Sequence, residues 1–142
     1  MKHLLLTIAV IGGLAACSRG GEPEAVIEEL ARVGETGRCD RLPQLISASS
    51  AQMVGPKLEA ACKEGIEQRK NNPDKAKAER KLKRINVLNK SENGDKTTVR
   101  AEPEYEDGSK EPAQDFVMVR EDGQWKIDLL ATGMAAGGGA EK

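Results

Sequence analysis

Residues 82–130 read LKRINVLNKSENGDKTTVRAEPEYEDGSKEPAQDFVMVREDGQWKIDLL, and three turn signals, Asn93-Gly94, Asp107-Gly108 and Asp122-Gly123, cut that stretch into four segments. The segments, 82–91, 96–105, 110–120 and 124–130, alternate polar and apolar side chains as strands do. Asn-Gly and Asp-Gly between such runs are strong hairpin signals, so the expectation is a four-stranded antiparallel meander. Closing each turn symmetrically places Leu88 opposite Val99, Val99 opposite Phe116, Met118 opposite Ile127 and Phe116 opposite Leu129. Registers set by turn position alone thus gather apolar residues, with Trp125, on one face. The other face would carry Arg100 opposite Asp115, an exposed pair worth under about 1 kcal/mol. Pro103 belongs at an edge or bulge, because it has no N–H for a ladder.

Upstream of the strands the pattern is helical. Pro23 opens a helix on which Val26, Ile27, Leu30 and Val33 form an apolar stripe, closed by Gly34 to Gly37. Asp40 reads as the N-cap of a second helix with Pro43 in its first turn and Leu42, Leu45 and Ile46 as its buried face. Gly55-Pro56 reads as the start of a third, with Leu58, Cys62 and Ile66 recurring every four residues. Asn71-Asn72-Pro73-Asp74 interrupts it, and Lys75 to Arg80 suits one more turn. The end, 131–142, lacks periodicity and reads as a flexible tail.

The first residues supply an address. Met1-Lys2-His3 is a small positive start, Leu4 to Ile11 is an apolar run too short to span a bilayer, and Leu14-Ala15-Ala16-Cys17 follows. This resembles the lipobox of bacterial lipoproteins, which implies a signal peptide over 1–16 and lipidation of Cys17. Residues 17–23 then form the lipidated cysteine and a short tether, and by the same resemblance Ser18, rather than Asp, after the cysteine implies, in a Gram-negative host, the outer membrane, facing the periplasm. With Cys17 used for lipid, Cys39 and Cys62 remain as a pair that an oxidising periplasm favours joining. Closing a loop of about 24 residues is worth about 3 kcal/mol, and the absence of Cys-x-x-Cys spacing makes the bridge structural.

Helices followed by a curved antiparallel sheet ending in Gly123-Gln124-Trp125-Lys126-Ile127 resemble the nuclear transport factor 2-like (NTF2-like), or cystatin-like, α+β fold. Small bacterial lipoproteins of unknown function with this fold are similar over about 24–130. The matching pieces include Gly37-Arg38-Cys39-Asp40, Ile85-x-Val87-Leu88 and Gly94-Asp95. The resemblance implies a pocket between helices and sheet, lined by Val99, Phe116, Met118, Trp125 and Ile127. It does not imply an activity, since the fold hosts isomerases, dehydratases, binding modules and dimerisation domains.

The residue inventory argues against chemistry. The single histidine, His3, lies in the leader, and no Asp or Glu on the expected core face is flanked by apolar residues that would raise its pKa. Relatives with isomerase activity pair a Tyr with an Asp, or an Asp with a His. Tyr105, Asp115 and Asp128 offer no such pair, so no catalytic residue, metal or cofactor is expected. The acidic run Glu102, Glu104, Glu106, Asp107 suits a solvated hairpin end.

Formal net charge is −1, which gives no case for nucleic acid. Charge is nonetheless segregated: residues 63–84 hold nine Lys or Arg against four acids, and 100–128 hold four against nine. Lys63, Arg69, Lys70, Lys75, Lys77, Arg80 and Lys81 are therefore candidate contacts to lipid headgroups or a partner, although a helix face kept hydrated by mixed charges is the favoured reading. Ile85, Val87, Val117, Val119 and Leu130 would lie on the outer sheet face, a surface for a homodimer or protein partner, although a solvated face with scattered valines is common in monomers and is the favoured reading. The expected function is a membrane-anchored periplasmic binding or interaction domain without catalysis. A small envelope-tethered enzyme and an inhibitor or immunity-type protein are the alternatives.

Overall fold

The computed structural model describes residues 21–137. The leader 1–16, Cys17, tether residues 18–20 and the last five residues lie outside the described residues. Helix α1 spans Pro23–Thr36, with Pro23 in its first turn and Gly37, at φ 74, closing it in the left-handed conformation. Its stripe buries Ile27 and Val33, with Val26 and Leu30 packed beside them.

The second expected helix is a 3-10 turn, Cys39–Arg41, followed by one α turn, α2, Leu42–Leu45. Asp40 lies within the 3-10 turn and does not cap it; Pro43 sits in the first turn of α2. Helix α3 runs Ala48–Asn71, starting seven residues before Gly55, with Pro56 in its interior. The start is set by Ser47, whose Oγ accepts from the Ser50 N–H at 3.3 Å, and by Glu121, whose carboxylate accepts from the Ala48 N–H at 3.0 Å. These acceptors satisfy N–H groups that any helix leaves orphaned at its start. The short α4, Pro73–Ala78, is likewise capped by Asn72, which accepts from the Lys75 N–H.

The sheet is the expected meander, β1 Leu82–Asn93, β2 Lys96–Tyr105, β3 Gln114–Glu121 and β4 Gln124–Ile127, in the order β1-β2-β3-β4. Val99 pairs with Phe116, Arg100 with Asp115 and Met118 with Ile127, all as the turn positions require. Asp122 and Gly123 have φ of 52 and 75, the pair of positive values that a type I′ turn needs.

The first hairpin departs from expectation. Asn93 pairs with Lys96, so the loop is Gly94-Asp95, with Gly94 at φ 62 in the first loop position. That moves the register by two residues, and Lys90, not Leu88, faces Val99. A β-bulge between Val87 and Asn89 then leaves Leu88 as the extra, unpaired residue and reverses which side chains face inward beyond it. Ile85 consequently packs against the core instead of standing on the outer face.

Strand β3 starts at Gln114, not 110, because Pro112 cannot donate to a ladder. Pro103 sits in β2 beyond the last β2–β3 pair, Ala101 with Gln114, where no N–H is required on that side. Strand β4 stops at Ile127 and helix α5, Leu129–Gly137, replaces the expected strand end and the first part of the expected tail. Asp128 caps it, its carboxylate accepting from the Ala131 N–H at 3.0 Å. Leu129 therefore does not pair with Phe116, and Leu130 is helical. Thr132 Oγ1 accepts from the Val117 N–H, so α5 covers an edge of β3 that β4 is too short to reach.

Two connected apolar clusters hold the layers together. Ile27, Val99, Ala101, Met118, Trp125 and Ile127 join α1 to the sheet. Val33, Cys39, Leu42 and Leu45 join α1 to the 3-10 turn and α2, with Leu58, Cys62 and Ile66 of α3 against them. Cys39 and Cys62 form a disulfide, their Cα atoms 5.9 Å apart, across this second cluster.

Candidate functional site

Helices α1, α2 and α3 and the start of α5 do not close completely on one another. Leu30, Val33 and Gly34 of α1, Leu42 of α2, Leu58, Ala61 and Cys62 of α3, and Leu129 of α5 line an apolar cleft of about 280 Å³. The cleft exists because the α1 stripe serves two clusters, while α3 crosses with small residues, Ala61 and Cys62, at this level. None of its walls carries a titratable group, since Cys62 is held in the disulfide. It can bind an apolar body of modest size, but it offers no acid, base or nucleophile.

The residues expected to line a helix-sheet pocket lie elsewhere. Val99, Met118 and Ile127 are wholly buried and Trp125 is 7% exposed, packed against one another and α1 rather than around an opening. Phe116 is half-buried against the same cluster. Arg120 stacks over the Trp125 ring at 4.6 Å and covers its rim. Leu129, from the helix that periodicity did not show, carries the α5 wall of the observed cleft.

Charges that are separated along the chain meet in space. Arg80 pairs with Glu111, Lys83 and Arg84 both pair with Glu104, and Arg69 pairs with Glu79 while donating to the Gly34 carbonyl. Lys63 bridges to Glu59 and Lys75 donates to Gln68. Of the expected contact set, only Lys70, Lys77 and Lys81 have no ion-pair or side-chain hydrogen-bond partner among the described residues. The basic run is thus largely an internal match for acidic residues, including the β2–β3 hairpin.

Glu104 is the most enclosed of these charges. Its carboxylate accepts from Asn86, Lys83 and Arg84, and those hydrogen bonds hold its pKa at about 2. A carboxyl whose pKa is depressed on folding stabilises the fold above its unfolded pKa, and that contribution fades as pH falls toward the folded value. Acid titration of unfolding should therefore show a loss of stability from about pH 4.5 downward, and Glu104→Gln should flatten that limb. An unchanged acid limb in the variant would contradict the role of this cluster.

Side chains weighed for catalysis lie on separate elements. Tyr105 ends β2 under the Arg80 guanidinium, 4.2 Å from its ring centre, in a polar cavity of about 440 Å³ with Glu35, Arg69 and Glu79. Burial and then Glu111 raise its pKa, which keeps the phenol protonated. Asp115 pairs with Arg100 at 3.2 Å, and Asp128 caps α5. Ser47 and Ser50 are buried and hydrogen-bonded to each other. No group of three His, Cys, Asp or Glu among the described residues is arranged to hold a metal ion.

Comparison with solved structures places this architecture. A Campylobacter jejuni crystal structure, named as an NTF2-like transpeptidase, superposes with a TM-score of 0.53 at 17% identity, covering 75% of this chain and 97% of that one. The fold is NTF2-like. At that identity the likeness extends to the NTF2-like fold alone, and the neighbour's chemistry does not transfer with it. No family model and no curated protein matches the chain.

Proposed function

We propose that this chain is a lipid-anchored envelope protein whose NTF2-like domain binds a small apolar ligand and does no chemistry on it. The observation that carries the reading is the cleft walled by Leu30, Leu42, Leu58 and Leu129, apolar throughout and free of titratable groups. The transpeptidase name of the structural neighbour raises an acyl-transfer reading. That reaction needs an activated nucleophile, whereas Cys39 and Cys62 are bonded to each other and Ser47 and Ser50 are buried.

Indole should raise the melting temperature in proportion to its saturation of the cleft. Ala61→Leu, which fills the cleft from α3, should abolish that shift while the variant stays folded. A thermal shift that survives Ala61→Leu would move the site elsewhere. The anchor reading rests on Leu14-Ala15-Ala16-Cys17. Cys17→Ser should move the protein from the membrane to the soluble fraction, and density fractionation of the parent should place it with the outer membrane. Continued tight membrane retention of Cys17→Ser would refute the anchor.

A further inference from the structure

Strand β1 is an edge of the sheet, and its bulge leaves Val87 39% and Leu88 54% exposed, two of the three exposed large hydrophobics among the described residues. The start of that edge is covered, since Arg32 donates to the carbonyls of Leu82 and Lys83 and Glu35 accepts from the Leu82 N–H. Nothing described covers the bulge. The chain enters the domain beside it: Pro23 is buried, and Lys90 Nζ lies 3.2 Å from the Glu24 carboxylate and 3.5 Å from that of Glu22. Lys90 is two residues along the strand from Leu88. Residues 18–22 extend at most about 18 Å, so Cys17 cannot lie far from this edge.

We propose that Val87 and Leu88 form a membrane-contact surface, which the tether from a lipidated Cys17 holds against the bilayer so that both side chains reach the boundary between headgroups and acyl chains. This rests on the anchor at Cys17. The surroundings specify the kind of surface, because Glu22, Glu24 and Glu92 cluster around the single Lys90. Anionic headgroups would be repelled there, and a zwitterionic bilayer that accepts apolar side chains fits. The helical part of the basic run is not at this end, and its two members on β1, Lys83 and Arg84, are paired with Glu104. Arg69 bonds Gly34 near the C-terminus of α1, about 16 Å along the helix from its start at 1.5 Å per residue.

The test uses the full lipidated chain reconstituted into phosphatidylcholine vesicles containing brominated acyl chains, which quench tryptophan on contact. Leu88→Trp and Met53→Trp each add one indole at an exposed position to the buried Trp125. Met53 is 66% exposed on α3, the helix that begins beside β4 at the opposite edge of the sheet. The emission added by Leu88→Trp should be quenched at least twofold and that added by Met53→Trp should not. Equal quenching at both positions, no quenching of Leu88→Trp on a vesicle-bound chain, or quenching only with anionic lipid would overturn the proposal while leaving the anchor standing. Parent protein that does not stay with the vesicles would remove the anchor and the contact surface together.

Discussion

Trp125→Ala is expected to remove a large share of the domain's stability. The indole is 7% exposed and packs with Ile27, Met118 and Ile127 where α1 meets the sheet. Truncating a buried tryptophan costs about 3–5 kcal/mol through lost burial and the cavity left behind. A domain of ordinary size has only about 5–15 kcal/mol in total. The chain holds one Trp, one Tyr and one Phe, and the Phe, Phe116, is already packed against the same cluster, so no second aromatic is free to replace the indole. Chemical denaturation followed by far-UV circular dichroism measures the loss directly. In the parent, Trp125 emission should be blue-shifted and resistant to aqueous quenchers. A variant with unchanged stability would mean that the sheet's inner face is wrongly assigned.

Removing both bridge cysteines, Cys39→Ala with Cys62→Ala, should cost about 3 kcal/mol, the chain-entropy value for a loop of this length. The bridge spans 23 residues and ties the 3-10 turn, which has few backbone bonds of its own, to the middle of α3. The consequence reaches the cleft, since Cys62 is one of its walls. Melting should fall by at least several degrees, and indole should bind more weakly to the variant that remains folded. Mass mapping without reductant should recover the 39–62 linked peptide. Two free thiols in protein taken from the envelope would contradict the bridge.

How far the fold was legible depended on whether its signals were local. Asp122-Gly123 fixes a type I′ turn by itself, and the β3–β4 register follows from its position. Asn93-Gly94 is ambiguous, because Gly94 can take either loop position, and one residue's difference displaces the whole strand. The bulge at Leu88 has no sequence mark, so the facing of Ile85 could not be derived. Pro56 misled because proline favours a helix start, whereas Ser47 and the distant Glu121 secure the start of α3 eight residues earlier. Asp128 was legible as a cap in principle. The alternation Trp125, Ile127, Leu129 extended the strand pattern past it and hid α5. The cleft was illegible for the same reason, as its walls come from four helices, one of them unseen. The ion pairs of Glu104 and Glu111 likewise join charges separated in the chain, and a count along the sequence shows two opposed blocks where the fold has partners.

Binding at the apolar cleft, and at no polar cavity, has a distinct signature at individual side chains. Methyl-labelled protein titrated with benzene and followed by NMR reads that signature. Saturable shifts should appear at Leu30, Val33, Leu42, Leu58 and Leu129, with the methyls of Val99 and Ile127 unmoved. Saturable shifts confined to residues around Tyr105, or no saturable shift anywhere in a folded protein, would contradict it.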